Sequence, residues 1–108
     1  MEKIYNKLVR DNIPSIIASD GEKPIVRVLD DKEYKQSLLN KLLEEYEEVK
    51  KAENKKDFLE ECADLLEVLK ALIELEDSSL DEVNEIARKK AEKRGAFSKR
   101  LFLEKTIK

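Results

Sequence analysis

Leu42-Leu43-Glu44-Glu45-Tyr46-Glu47-Glu48-Val49 and Phe58-Leu59-Glu60-Glu61-Cys62-Ala63-Asp64-Leu65-Leu66 place acids where an amphipathic helix would carry leucines. Around the first stretch, Tyr34, Leu38, Leu42, Val49 and Ala52 recur at three- and four-residue steps, and Leu39, Leu43 and Tyr46 widen the arc. That period predicts a helix from about residue 31 to about 53. Glu45 falls between Leu42 and Val49 on the dry stripe itself, and Glu48 at its edge. Glu44 and Glu47 project towards solvent.

The second stretch belongs to a helix expected from about residue 57 to about 76. Its wet stripe is narrow: Glu60, Glu67, Lys70 and Glu74. The other positions from Leu65 to Leu75 are apolar, which marks the centre of a bundle. Glu61 shares a face with Val68 and Leu72, and Asp64 lies near the border, between Ala71 and Leu75.

Working outward, Asn54-Lys55-Lys56 reads as the connecting loop and Asp57 as the next cap. Asp30 or Asp31 reads as the N-cap of the first long helix. Ser79 with Glu82 three residues later is a capping-box pattern. It opens a third long helix that runs to about Arg94, where Gly95 stops it. Leu80, Val83, Ile86, Ala87 and Ala91 form its dry face, and Lys90 and Arg94 fall on the same face.

Nearer the N-terminus, Ile13, Ile16 and Ile17 suggest a short helix after Asp11, with Pro14 in its first turn and Ser19-Asp20-Gly21 as its stop. Pro24 to Leu29 is rich in β-branched residues and reads as a strand. Leu101-Phe102-Leu103 reads as a second short strand, paired with 25–29. The expected architecture is a single domain over 1–108, mainly all-α. It is an antiparallel helical bundle with its core over about 31–94, completed by oligomerisation and edged by a small β ribbon.

Composition narrows the chemistry. Charged residues make up 44% of the 108 and hydrophobic residues 41%, the balance of helices with one wet and one dry face. The net charge of -3 argues against a nucleic-acid polymer as partner. Histidine is absent, which excludes imidazole catalysis and histidine zinc sites. The one cysteine, Cys62, permits no internal disulfide and reads as a reduced core residue. No apolar run approaches membrane-span length and no signal core opens the chain, so the expected setting is cytoplasmic, without a membrane. A chain this short buries a thin core, so pairing with a second copy is expected.

Glu45 and Glu48 are three apart, as are Glu61 and Asp64, so each pair emerges on one helical face. Antiparallel packing would let the pairs converge. Two like charges about 6 Å apart repel by roughly 3 kcal/mol at an effective dielectric near 20. Four together in a dry cleft need cations. Mg²⁺ or Mn²⁺ suits an all-oxygen donor set and also binds substrate phosphates. Lys90 and Arg94 have two readings: they snorkel and favour the helix dipole, or they grip phosphate oxygens. Lys7, Arg10 and Asp11 would add to that grip.

Glu44-Glu45-Tyr46-Glu47-Glu48 fits the pattern EExxE, and Glu61-Cys62-Ala63-Asp64 fits ExxD. With both motifs the chain resembles the MazG-type all-α nucleoside triphosphate pyrophosphohydrolases. Tyr5 to Pro14, Arg27-Val28-Leu29 and Lys93-Arg94-Gly95-Ala96-Phe97 resemble the small stand-alone house-cleaning branch of that superfamily. The resemblance implies Mg²⁺ held by Glu45, Glu48, Glu61 and Asp64. It implies hydrolysis of the α–β phosphoanhydride of nucleoside triphosphates, non-canonical ones included, to monophosphate and pyrophosphate. It also implies work as a homodimer or tetramer, with paired subunits closing the site. On this reading Glu45 or Glu48 orients or deprotonates the attacking water, and Lys90 and Arg94 stabilise the leaving pyrophosphate. One rival, phosphoribosyl-ATP hydrolysis in histidine biosynthesis, would use the same acids; another is a non-enzymatic helical interaction module that dimerises through its leucine stripes.

Overall fold

Asp30, Asn54 and Ser79 set where the three long helices begin. Each has extended backbone, and each side chain accepts a hydrogen bond from the amide three residues on: Glu33 at 2.8 Å, Asp57 at 2.9 Å and Glu82 at 3.2 Å. Such caps satisfy one of the orphan amides of the first turn and contribute about 1 kcal/mol each. The computed structural model describes all 108 residues. It contains α1 (Ile13–Ser19), α2 (Asp31–Lys51), α3 (Lys55–Leu75) and α4 (Leu80–Arg94), and no strand. The fold is all-α.

The helix ends follow the local chemistry. Pro14 occupies the first turn of α1, where its missing amide costs no helical bond. Asp77 between α3 and α4 and Gly95 after α4 both have positive φ, 57° and 82°. Glycine adopts that conformation without a Cβ clash. The loop between α2 and α3 is tighter than the sequence suggests. Asn54, not Asp57, is the cap, and Lys55 and Lys56 already belong to α3. Asp57 instead sits in the first turn, where its Oδ2 accepts from the Asn54 side chain at 3.0 Å.

α2 and α3 form an antiparallel hairpin and are the one pair of helices packed extensively on each other. Lys35 near the start of α2 bonds Glu76 just past the end of α3, at 3.5 Å. The register therefore sets the middle of one helix against the middle of the other. Leu38 on α2 and Val68 on α3 are buried on this seam. The third buried residue of the chain is Glu45.

The expected β ribbon does not form. Residues 24–29 and 101–103 are irregular and largely exposed, with Val28 at 98% and Phe102 at 88%. An isolated two-stranded ribbon is marginal in water, and Arg100 at a φ of 58° turns the chain just before Leu101. α4 buries no residue, and its Ile86 is half exposed. The radius of gyration is 18.7 Å, against about 13 Å for a compact chain of this length. No helix is long and apolar enough to cross a membrane.

Candidate metal centre

Position on the hairpin seam brings the acids together. Glu45 is seven residues after Leu38, two turns along the same face of α2. It is 9% exposed. Glu61 is seven residues before Val68 and is half-buried, as is Asp64 one turn further on. One carboxylate oxygen from each of Glu45, Glu61 and Asp64 lies within 4.8 Å of the other two. Two helices thus contribute to one cluster, which holds three of the four acids that the matched spacings pair.

Glu48, the fourth predicted ligand, is exposed and falls outside this convergent set. It lines a neighbouring cleft of about 250 Å³ with Glu61 and Asp57. Its charge still reaches the cluster, since it helps raise the Glu61 pKa. Glu48 stands about 60° round α2 from Glu45, at the rim of the stripe that Glu45 centres.

The cluster pays an electrostatic cost. Burial pushes the Glu45 carboxyl above the ordinary carboxylate range. Lys41 opposes that shift, while Asp64, Glu44 and Glu48 reinforce it. Partial burial raises Glu61 as well, and the charges of Asp64, Glu48, Glu45 and Glu60 act in the same direction.

Three cations lie around the acids. Lys41 Nζ is 3.8 Å from Glu45 Oε1 and 3.5 Å from Glu44 Oε1. Lys7 Nζ is 3.6 Å from Glu44 Oε1. Arg10 Nη2 donates to Asp64 Oδ1 at 2.7 Å. The sequence reading placed Lys7 and Arg10 near the site and missed Lys41. The missed signal was its position one helical turn before Glu45, an i,i+4 pair. Lys90 and Arg94 are exposed on α4, and neither makes an ion pair within the chain. A single copy of the chain therefore does not set them against the acids. Glu44 and Glu47 are exposed, as expected. Cys62 is free and half-buried rather than a core residue.

The donor chemistry fits a hard divalent ion. The converging atoms are all carboxylate oxygens, which Mg²⁺ and Mn²⁺ accept, and Mg²⁺ commonly leaves positions for water and phosphate. With no histidine in the chain and no thiol in the cluster, a soft-metal site is excluded.

No family model matches this chain, and no solved structure matches it. It is similar to an uncharacterized protein of Mycolicibacterium smegmatis (strain ATCC 700084 / mc(2)155), with 43% identity over 54 residues. Those residues are 50% of this chain and 55% of the mycobacterial protein, so the match spans about half of each.

Proposed function

We propose that this chain is a Mg²⁺-dependent nucleoside triphosphate pyrophosphohydrolase, acting on the α–β phosphoanhydride to give nucleoside monophosphate and pyrophosphate. The observation that carries the reading is the convergence of Glu45, Glu61 and Asp64 from two helices, with oxygens within 4.8 Å. The choice of bond and substrate rests on the EExxE and ExxD resemblance.

A bound magnesium ion would neutralise polyphosphate charge and acidify a water molecule. The chain's own residues supply the rest. Glu45, Glu61 and Asp64 would hold the ion. Glu45 or Glu48 would orient the attacking water and accept its proton. The water oxygen forms the new bond to phosphorus, the α–β bridging bond breaks, and pyrophosphate leaves with the electron pair. Lys7 and Arg10 lie beside the acids on the N-terminal segment and would contact phosphate oxygens.

Self-association is part of the proposal. Leu43, Leu59, Phe97 and Phe102 are more than half exposed, at 66%, 54%, 95% and 88%. Burying one such side chain contributes about 1.5–3 kcal/mol. A second copy covering these residues would complete the bundle. It would also give the exposed Lys90 and Arg94 a neighbouring triphosphate to meet.

The test is product analysis by phosphorus NMR with purified protein, Mg²⁺ and a panel of canonical and modified triphosphates plus phosphoribosyl-ATP. Monophosphate and pyrophosphate are expected, with loss of turnover in Glu45→Gln and Asp64→Asn. Full activity in both variants, or diphosphate and inorganic phosphate as products, would defeat the assignment.

A further inference from the structure

We propose that Arg10 is a built-in counter-cation for Asp64, which a divalent metal displaces, so that metal binding frees the Arg10 guanidinium for the polyphosphate. The inference rests on the metal-site reading of Glu45, Glu61 and Asp64 and concerns the regulation of that site.

The segment before α1 straps the hairpin. Lys7 reaches Glu44 on α2, and Arg10 reaches Asp64 on α3, so four residues span both helices of the site. The Arg10–Asp64 contact, at 2.7 Å, is the shorter of the two. It engages one of the three converging acids. An ion at the cluster and a guanidinium on Asp64 compete for the same carboxylate, and the two cations repel each other.

The contact is built to be lost. The Arg10 and Asp64 side chains are 57% and 45% exposed, and exposed pairs of this kind are worth about 0.2–1 kcal/mol. The segment itself is lightly held. Residues 1–10 belong to no helix or strand. Arg10 anchors to α1 through its carbonyl, which accepts from the Ile13 amide at 3.0 Å. The side chain can therefore leave while the backbone stays. Asn6, at a φ of 46°, bends the chain just before Lys7, a conformation that asparagine tolerates better than most residues.

A released guanidinium is matched to phosphate oxygens in charge and fork geometry. Metal and nucleotide binding are then coupled through Arg10. Metal makes Arg10 available, and phosphate binding keeps it off Asp64, so each ligand strengthens the other reciprocally.

Calorimetric titration of Mn²⁺ alone, then of a non-hydrolysable triphosphate in saturating Mn²⁺, separates this role from a structural one. Relative to the wild type, Arg10→Gln should bind Mn²⁺ tighter by about fivefold, the equivalent of one exposed ion pair. It should bind the triphosphate several-fold more weakly. Arg10→Lys should fall between the two, which also guards against a folding defect in the glutamine variant. Equal or weaker Mn²⁺ binding in Arg10→Gln, alongside clear binding by the wild type, would overturn the counter-cation role and leave the metal site standing. Failure of both proteins to bind Mn²⁺ would overturn the metal site and this inference together.

Discussion

Glu45 and Leu38 stand two turns apart on one face of α2, and they are the two buried residues of that helix. A carboxylate thus occupies a position that the helix otherwise gives to leucine. Its nearest cation, Lys41, is 3.8 Å away, beyond hydrogen-bond length. Burying a charge without close pairing is costly, so the site carries a stability penalty that an ion would relieve.

Glu45→Gln should therefore stabilise the metal-free protein by about 1 kcal/mol, because it removes a buried charge and keeps the shape. Mg²⁺ should raise the melting temperature of the wild type, and the same change should abolish that rise. Urea unfolding in EDTA and in Mg²⁺ reads both effects. A destabilised metal-free variant would mean that Glu45 already has a sufficient partner.

Glu48→Gln should be milder than Glu45→Gln or Asp64→Asn. Glu48 is exposed and lies outside the convergent trio. A loss of metal affinity of about tenfold is the scale expected for a supporting residue, with larger losses for the three converging acids. Parallel metal titrations of the four single variants rank them directly. Equal losses at all four positions would put Glu48 among the ligands.

Stability without metal should depend on pH in two opposite ways. Glu45 and Glu61 bind protons more tightly in the folded chain than in the unfolded one. Their contribution is fully present below the unfolded carboxylate range and is lost as pH rises through the raised folded values. Glu33 behaves in reverse, because its hydrogen bonds from Arg27 hold its pKa down. Its contribution is present above the unfolded range and is lost as pH falls through the lowered folded value. Difference curves between wild type and Glu45→Gln, and between wild type and Glu33→Gln, should slope oppositely with pH in EDTA.

Asn54→Ala should cost about 1 kcal/mol by removing the cap of α3. Asn54 closes the hairpin, so its loss should also weaken metal binding although it touches no acid of the cluster. Ser79→Ala removes a comparable cap from α4 and should leave metal affinity unchanged. Chemical denaturation with a metal titration on each variant distinguishes the two.

The apolar surface should make the protein a homo-oligomer. Light scattering should give a mass of two or more chains, and the unfolding midpoint should rise with protein concentration. Leu43→Lys and Leu59→Lys, both at exposed positions, should lower the mass without disturbing helix content. A wild type that is monomeric at every concentration would refute this.

The sequence marked the long helices well because their period and their caps agree. Asp30, Ser79 and Gly95 lie where cap chemistry predicts. The burial of Glu45 was legible too, since only spacing is needed to place it on the stripe with Leu38. What failed depended on contacts beyond the helix. The apolar residues of 24–29 and 101–103 resemble strands, but pairing requires a partner backbone, and the fold supplies none. Lys90 and Arg94 share a helical face, yet a face cannot say which neighbour it meets. Arg10 was assigned to phosphate, while its contact with Asp64, across 54 residues, has no local signature.

The link from α2 to α3 is only Ala52–Asn54 long, and the three converging acids all fall between Glu45 and Asp64. The geometry of the centre is consequently set by neighbours in sequence, with little loop-closure entropy to overcome. It can form early in folding, ahead of any docking by α4 or the tail. The flanking segments can then accept insertions or extensions that tune what approaches the acids, while the spacing of the acids stays fixed.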